Sequence, residues 1–251
     1  MKDIIDKKVE YIVNWLREQV KNTKTNGLLV GVSGGIDSAL VAYLIKAACP
    51  NNSMGVILPI NSSEDDVKDA KIVVKECGIS SITIDLTEQH NMILKKVIKE
   101  LKEKNKFDDD NLRNMDANLR ARLRMSTLYA IANNLNYLVV GTDNASEIYT
   151  GYFTKHGDGA ADILPIGSLK KYEVYEWAKH LDISRRVIEK VPSAGLWEGQ
   201  TDEEEMGVSY KSIDDYLDGK PIDEKDEKII KNLYEISKHK RERPPIPNIN
   251  I

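Results

Sequence analysis

The run Gly31-Val32-Ser33-Gly34-Gly35-Ile36-Asp37-Ser38 gathers glycines, hydroxyls and one carboxylate into a single short stretch. Gly34 and Gly35 let the backbone come close to an anion with its N–H groups exposed. Ser33 and Ser38 add hydroxyl donors, and a helix starting here would add favourable partial positive charge. No Gly-Lys-Ser/Thr follows, so the loop is not a Walker A loop, and it lacks the Gly-x-Gly-x-x-Gly spacing of a dinucleotide fold. Asp37 adds a carboxylate where phosphate is otherwise favoured. It would repel phosphate unless a divalent cation lies between, so Mg2+ bridging Asp37 to phosphate oxygens is the economical reading. The competing reading is a tight strand–helix turn whose Asp37 merely meets the helix dipole. Ser-Gly-Gly-x-Asp-Ser recurs by chance in on the order of a few per ten thousand chains of this length, which favours the anion site.

A second cluster begins at Gly141-Thr142-Asp143-Asn144-Ala145-Ser146-Glu147 and runs through Thr150-Gly151-Tyr152-Phe153-Thr154-Lys155-His156-Gly157-Asp158-Gly159-Ala160-Ala161-Asp162 to Pro165. It offers a carboxylate near the nucleotide (Glu147), a cation (Lys155), further carboxylates (Asp158, Asp162) and aromatic faces (Tyr152, Phe153). A charged substrate carrying an aromatic ring would use all of these. Any one of them alone reads as a solvated loop residue.

The elements that must hold these clusters are legible from periodicity. Ile4, Ile5, Ile12, Val13, Leu16 and Val20 predict an amphipathic helix over 3–21. Short apolar runs at 27–32, 54–60, 81–86 and 137–140 predict buried strands, with helices over 38–48, 64–77, 88–104 and 111–134 between them. That alternation predicts an α/β fold, a mostly parallel sheet flanked by helices on both faces. Residues 142–170 read as a long loop, which in a compact domain is functional or disordered. Helices are expected over 171–190, 209–218 and 223–238, and 196–208 reads as a mobile surface segment. No repeat or second-domain boundary is visible, so 1–251 is expected to act as one domain.

The chain has 251 residues, with 36 basic against 40 acidic side chains, a net charge of −4. Such a surface is not built for nucleic acid, and any anion must be bound by a local cluster. Two cysteines outside any Cys-x-x-Cys pair point to a reducing cytoplasm. No membrane span or secretory signal is expected.

Ser-Gly-Gly-x-Asp-Ser after a buried strand resembles the pyrophosphate loop of the N-type ATP pyrophosphatases, which split ATP between the alpha and beta phosphates. Within that group the second cluster chooses. Gly-Thr-Asp…Glu…Thr-Gly-Tyr-Phe-Thr-Lys-x-Gly-Asp-Gly-x-Ala-Asp-Ile-Leu-Pro is very similar to the ammonia-dependent NAD synthetases, and the resemblance reaches to His239-Lys240. It implies an adenine nucleotide alpha hydrolase-like, Rossmann-like fold and a homodimer. It also implies ATP-dependent amidation of deamido-NAD to NAD through an adenylylated intermediate, with release of AMP and pyrophosphate. In the roles it implies, Asp37 and Glu147 hold Mg2+. ATP meets Gly31, Val32, Ser33, Gly34, Gly35, Ile36, Asp37 and Ser38, together with Thr142, Lys171 and Ser193. Deamido-NAD meets Arg122, Lys155, Asp162, His239 and Lys240, and Asp37 and Lys171 are the catalytic pair. The chain departs from the family at Ser193, where threonine is usual, but keeps the hydroxyl. The chain's first residues lack a catalytic cysteine and its length leaves no room for a glutaminase domain, so free or partner-supplied ammonia is expected.

Arg122 also has an argument of its own. Leu112, Met115, Leu119 and Leu123 form an apolar stripe on the helix over 111–134, and Arg122 is expected on it with Asn118 four residues earlier. A guanidinium near a core requires an anionic partner, either a substrate or a buried Asp. Arg120 and Arg124 are expected to point into solvent. His90 and His180 read as surface or packing residues, Cys49 and Cys77 as packed thiols, and Glu203-Glu204-Glu205 as a solvated face. Rival readings are a tRNA-modifying enzyme on the same loop, which would need an RNA-binding module, and a nucleotide sensor, which would lack the metal carboxylates.

Overall fold

Strands β1 (Gly27–Gly31), β2 (Ser53–Ile57), β3 (Ser80–Thr83) and β4 (Tyr137–Val140) pair in the order β3-β2-β1-β4, all parallel. The structure, a computed structural model, describes residues 2–193, 199 and 201–249. Successive strand side chains point to opposite faces. Leu28 and Val30 therefore enter one core while Leu29 enters another, and Leu138 and Val140 part from Val139 in the same way. Both faces must be covered, and this is why β1 and β4 are almost continuously apolar, whereas the edge strand β3, Ser-Ser-Ile-Thr, is mostly exposed.

The first face is covered by α1 (Lys2–Thr23), α2 (Ile36–Ala48) and α3 (Glu64–Cys77), with Leu16, Leu40, Leu44 and Ile45 fully or almost fully buried. α3 starts at its Ser63 cap and stops at Gly78, whose φ of 65° ends the helix in the left-handed region. The second face is covered by α5 (Leu112–Leu135), with Leu128, Tyr129 and Ala132 against Leu29, Val56 and Val139, and α4 (Thr87–Glu103) packs on α5. After β4 come α6 (Ala145–Thr150), α7 (Lys171–His180), α8 (Arg185–Ile188), α9 (Asp202–Met206), α10 (Tyr210–Leu217), α11 (Glu224–Ile236) and α12 (Lys238–Arg241). Trp177 of α7 and Val187 of α8 join the first core. α9, α10 and α11 build a smaller core of Met206, Val208, Tyr210, Ile213 and Ile230. Among the described residues, no helix is long and apolar enough to cross a membrane.

The chain steps from β1 outward to β2 and β3, then returns across the sheet to place β4 on the other side of β1. Winding therefore reverses between β1 and β4, and open parallel sheets bind ligands at such a point, beyond the strand ends. The glycine loop leaves β1 there, and the segment from Gly141 leaves β4 beside it.

The expected long loop over 142–170 is more structured than its composition suggests. It contains α6, and its far end returns to β4, where Asp162 N donates to Val139 O and Gly141 N donates to Ile163 O. Gly141 permits that return, because a Cβ there would sit 2.5 Å from Leu164 and 2.7 Å from Ala161. Of the expected segment 196–208, residues 196–198 and 200 lie outside the described residues, and the rest holds α9.

α5 corrects the expectation about its arginines. Arg122 is exposed, while Arg124 is packed inward and its Nε donates to Leu58 O at 3.0 Å. Burial, then the neighbouring Arg120 charge, brings the Arg124 guanidinium down to about 10. Arg120, expected in solvent, is only 11% exposed and pairs with Asp116 at 2.6 Å. Two residues turn a helix by roughly 200°, so Arg122 and Arg124 cannot share a face. The face carrying Leu128 and Ile131 toward the sheet carries Arg124 with it. His90, on α4, is fully buried, with Nε2 3.1 Å from Asp116 Oδ1. Cys49 and Cys77 are half-buried free thiols, and burial pushes Cys77 up to about 11.

α3 also supports the glycine loop from behind. Gly34 has φ +85°, and a Cβ there would lie 2.8 Å from Asp69 Cβ and from Ala70 N. Asp69 is held from its other side by α8 and the residue two beyond it: Arg186 Nε donates to Oδ1, and Lys190 Nζ donates to Oδ2 at 2.9 Å and to Asp66 Oδ1 at 2.7 Å. Although burial opposes it, these bonds hold the Asp66 and Asp69 carboxyls below their ordinary 3.8. Asp69→Asn should cost about 1–3 kcal/mol in urea unfolding at neutral pH. Stability from a depressed carboxyl is present above its unfolded pKa and lost as pH falls through the lower folded one. The gap between wild type and Asp69→Asn should therefore narrow below about pH 4, and a gap constant down to pH 2 would contradict the pairing.

Candidate active site

Asp37 lies in the first turn of α2, directly after the glycine loop. The loop closes on itself through Ser38, whose hydroxyl donates to Gly35 O at 3.0 Å and accepts from Ser33 N at 3.2 Å. Ser33 itself is exposed and Ser38 is buried. Ser33 therefore faces an incoming anion, while Ser38 shapes the turn.

Glu147 comes from α6, whose start is set by a capping box. The Asn144 side chain accepts from the N–H groups of Ser146 and Glu147, and Glu147 Oε2 accepts from Asn144 N. Lys171 is the first residue of α7. An ammonium there opposes the helix dipole, and the Asp214 carboxylate offsets it by accepting from Lys171 N at 3.2 Å and Tyr172 N at 2.9 Å. Asp214 also accepts from the Ser146 hydroxyl, so α6, α7 and α10 are joined at one carboxylate.

These elements bring three charges together. Lys171 Nζ lies 2.6 Å from Asp37 Oδ2 and 3.2 Å from Glu147 Oε1, with its side chain 3% exposed. Burial alone would lower the Lys171 pKa, but Asp37 and Glu147 outweigh it and hold the ammonium charged. Burial pushes the Glu147 carboxyl up, to about 7, against the opposing pull of Lys171. The ammonium also lies 4.6 Å from the centre of the Tyr210 ring. The Tyr210 hydroxyl is 3.2 Å from Glu147 Oε1 and 3.0 Å from Asp202 Oδ2, and its single proton serves one at a time. Burial, then Glu147 and Asp202, keeps that phenol protonated. Asp143 is buried beside them, its carboxyl pushed well up by burial and then by Asp158, Glu147 and Asp37.

Two carboxylates converging on one cation fit a magnesium ion held by one or two protein carboxylates and by substrate phosphates. Among the described residues, no group of three or more His, Cys, Asp or Glu could hold a metal by itself. The donor set therefore fits an ion that arrives with a polyphosphate.

Arg122, Lys155, His239 and Lys240, expected at the dinucleotide, lie close together. Lys155 Nζ donates to His239 O, and Lys240 Nζ donates to Gly151 O and Phe153 O at 2.7 Å each. Arg122 donates through Nε and Nη2 to Lys155 O at 3.3 Å, so Arg122, Lys155 and His239 are linked in series through backbone carbonyls. The buried Asp considered as a rival partner for Arg122 is not what it meets. Arg122 instead ends a cleft of about 340 Å³ between α4 and α5, lined by Ile93, Leu94, Val97, Met115 and Leu119. Asp162 is tied to the sheet, accepting from Val139 N at 2.7 Å and from the Tyr129 hydroxyl at 3.2 Å. Thr142 is half-buried between β4 and α6, and Ser193 is exposed. A hollow of about 610 Å³ beside Lys46, Ser53 and Lys75 opens at the opposite edge of the strands, away from this chemistry.

Tyr210, Asn144, Asp202 and Asp214 did not emerge from the sequence as site residues. Asn144 had a signal, since Asn followed three residues later by Glu is a capping box. Tyr210, Asp202 and Asp214 lie far along the chain with no local pattern. The glutamate run is exposed but not idle: Glu203 accepts from Tyr210 N, and Glu205 accepts from the Tyr152 hydroxyl.

The NAD synthase family model matches residues 8–244. An NH(3)-dependent NAD(+) synthetase of Alkaliphilus oremlandii is 64% identical, over 98% of both chains. Among solved structures, the NMN synthetase of Francisella tularensis is 41% identical, with a TM-score of 0.89 over 98% of this chain and 99% of that one. The NH3-dependent NAD synthetase of Campylobacter jejuni is 31% identical, with a TM-score of 0.77 over 97% and 99%.

Removing the carboxylate that joins the helices isolates its effect. Asp214→Ala removes the acceptor of the Tyr172 amide and of the Ser146 hydroxyl and one of the two acceptors of the Lys171 amide, and should lower stability by about 2 kcal/mol. Asp214→Asn, which keeps one acceptor oxygen, should recover part of that in the same urea titration. Equal stability for all three proteins would show that α7 is capped by something else.

Proposed function

The chain belongs to the NAD synthase family, and from that premise we propose how its residues carry out the ATP-dependent amidation of deamido-NAD to NAD. The carboxylate of the pyridine ring attacks the alpha phosphate of ATP, pyrophosphate leaves, and ammonia displaces AMP from the acyl adenylate. The observation that carries this reading is the meeting of Asp37 and Glu147 on the Lys171 ammonium beside the glycine loop, at the point where the sheet reverses direction.

The loop from Gly31 to Ser38 receives the phosphates through its amides and the Ser33 hydroxyl. Asp37 and Glu147 would hold Mg2+, which when bound offsets phosphate charge and holds the triphosphate in one geometry. Lys171 supplies a second positive charge for the negative charge that grows on the leaving pyrophosphate. Thr142 and Ser193 add contacts to ATP. Lys155, Asp162, His239, Lys240 and Arg122 hold the dinucleotide, with the apolar cleft beside Arg122 suited to the face of a flat base. Most of the rate then comes from positioning and electrostatics, with no covalent link to the protein.

Residues 1–251 act as one synthetase domain that takes ammonia as its nitrogen source. The NH(3)-dependent relative covered over 98% of its length supports this. A homodimer in the cytoplasm, with no nucleic-acid partner, completes the proposal. A second substrate is favoured by one specific likeness, the NMN synthetase at 41% identity. The carboxylate precursor of NMN has the same reacting group as deamido-NAD and lacks only the adenylate half.

Incubation with ATP, Mg2+, ammonium and deamido-NAD should give NAD and AMP in equal amounts, and AMP without NAD would indicate another acceptor. Replacing deamido-NAD by nicotinate mononucleotide tests the second substrate through the appearance of NMN. Asp37→Ala should lower turnover by about 100- to 1000-fold, as does loss of one preorganised electrostatic contact elsewhere. A fully active Asp37→Ala enzyme would remove Asp37 from the metal site.

A further inference from the structure

Asn144 is completely buried at the start of α6, and all of its hydrogen-bonding atoms have partners. Its side-chain oxygen accepts from Ser146 N at 3.0 Å and Glu147 N at 3.1 Å. Its own carbonyl accepts from Ile148 N. Two further bonds reach the carboxylates. Nδ2 donates to Asp37 Oδ1 at 2.9 Å, and the backbone N–H donates to Glu147 Oε2 at 3.1 Å. The oxygens left over are Asp37 Oδ2 and Glu147 Oε1, the two that meet the Lys171 ammonium.

We propose that Asn144 is the positioning residue of the cation site: it occupies one oxygen of each carboxylate and so presents the other oxygen of each to the shared cation. The residue type follows from the two tasks. A carboxamide is an acceptor at one atom and a donor at another, so one side chain can cap α6 and restrain Asp37. Aspartate would cap equally well but would turn an acceptor toward Asp37. Serine would cap but is too short to reach it. Asp37 and Glu147 come from helices that follow different strands, and Asn144 sets their separation directly. No other described bond joins Asp37 to α6. The lysine that also bridges the two carboxylates arrives from α7.

The inference rests on the assignment of Asp37 and Glu147 to magnesium, and its test keeps the two apart. Serine and glycine are both accepted at helix N-caps, so Asn144→Ser and Asn144→Gly preserve the start of α6 while removing the contact to Asp37. Mn2+ binding would be followed by electron paramagnetic resonance in the presence of a non-hydrolysable ATP analogue, beside thermal melting and the KM for deamido-NAD. Loss of a residue that orients a metal ligand typically weakens affinity by about 10- to 100-fold. Both variants should show that loss, with melting temperature and KM for deamido-NAD close to wild type. Unchanged Mn2+ affinity in either folded variant would reduce Asn144 to a helix cap and overturn the proposal. A KM for deamido-NAD that rises as much as metal affinity falls would also overturn it, because the disturbance would then be general. Absence of Mn2+ binding in the wild-type protein would instead sink the metal assignment itself, and this inference with it.

Discussion

A buried ammonium shared by two carboxylates is the constraint around which the rest of this structure is arranged. Lys171 is 3% exposed at its side chain, and an ion so placed is tolerable only when its charge is answered at close range. Asp37 and Glu147 answer it from two different helices, and the Tyr210 ring adds a third favourable surface. Each partner needs its own support. Asn144 restrains Asp37, the capping box fixes Glu147, and Asp214 caps the helix that begins with Lys171. The result is a small group of polar contacts, most of them partly buried, in which each member limits the freedom of the next.

The sheet makes such a gathering possible. Because β4 lies beside β1 while the chain has meanwhile built β2 and β3 on the other side, the segments after β1 and β4 emerge together and diverge from there. A gap between two diverging segments has room for a nucleotide and offers two helix starts to it. The glycine loop is fixed from below by α3, against which Gly34 packs too closely for a side chain, and α3 is in turn bound to Arg186 and Lys190 by ion pairs. Rigidity around the loop matters for a reaction driven by placement, since amide donors help only if they are already aimed where charge develops.

Charge is distributed unevenly between the group around Lys171 and the group around Lys155. In the first group, Asp37 and Glu147 meet Lys171 with Asp143 buried near both carboxylates, an excess of acidic groups that favours a further cation. In the second group, Arg122, Lys155 and Lys240 are directed at backbone carbonyls, which are weaker partners than carboxylates. Cations held only by carbonyls can exchange them for phosphate oxygens at little cost. This distribution agrees with an adenylyl transfer between two phosphate-bearing substrates.

Sequence alone determined the α/β class, all four strands and α3 to its end residues. These depend on short-range rules: strand periodicity, Ser and Gly at helix ends, and a glycine loop between a strand and a helix. It also pointed to Asp37, Glu147 and Lys171 through family resemblance. What it could not determine was orientation. The arginines of α5 were misjudged because its apolar residues are spread around the helix, and only packing against Val56 and Val139 decides that Arg124 turns inward and Arg122 outward. Tyr210, Asp202 and Asp214 carry no local pattern at all; they become part of the site when α9 and α10 fold back onto α6 and α7. Local rules act over the few residues of a turn or a helix end, whereas the contacts that tie Tyr210 and Asp214 to α6 and α7 span 42 residues or more of chain and exist only once the sheet has brought its loops together.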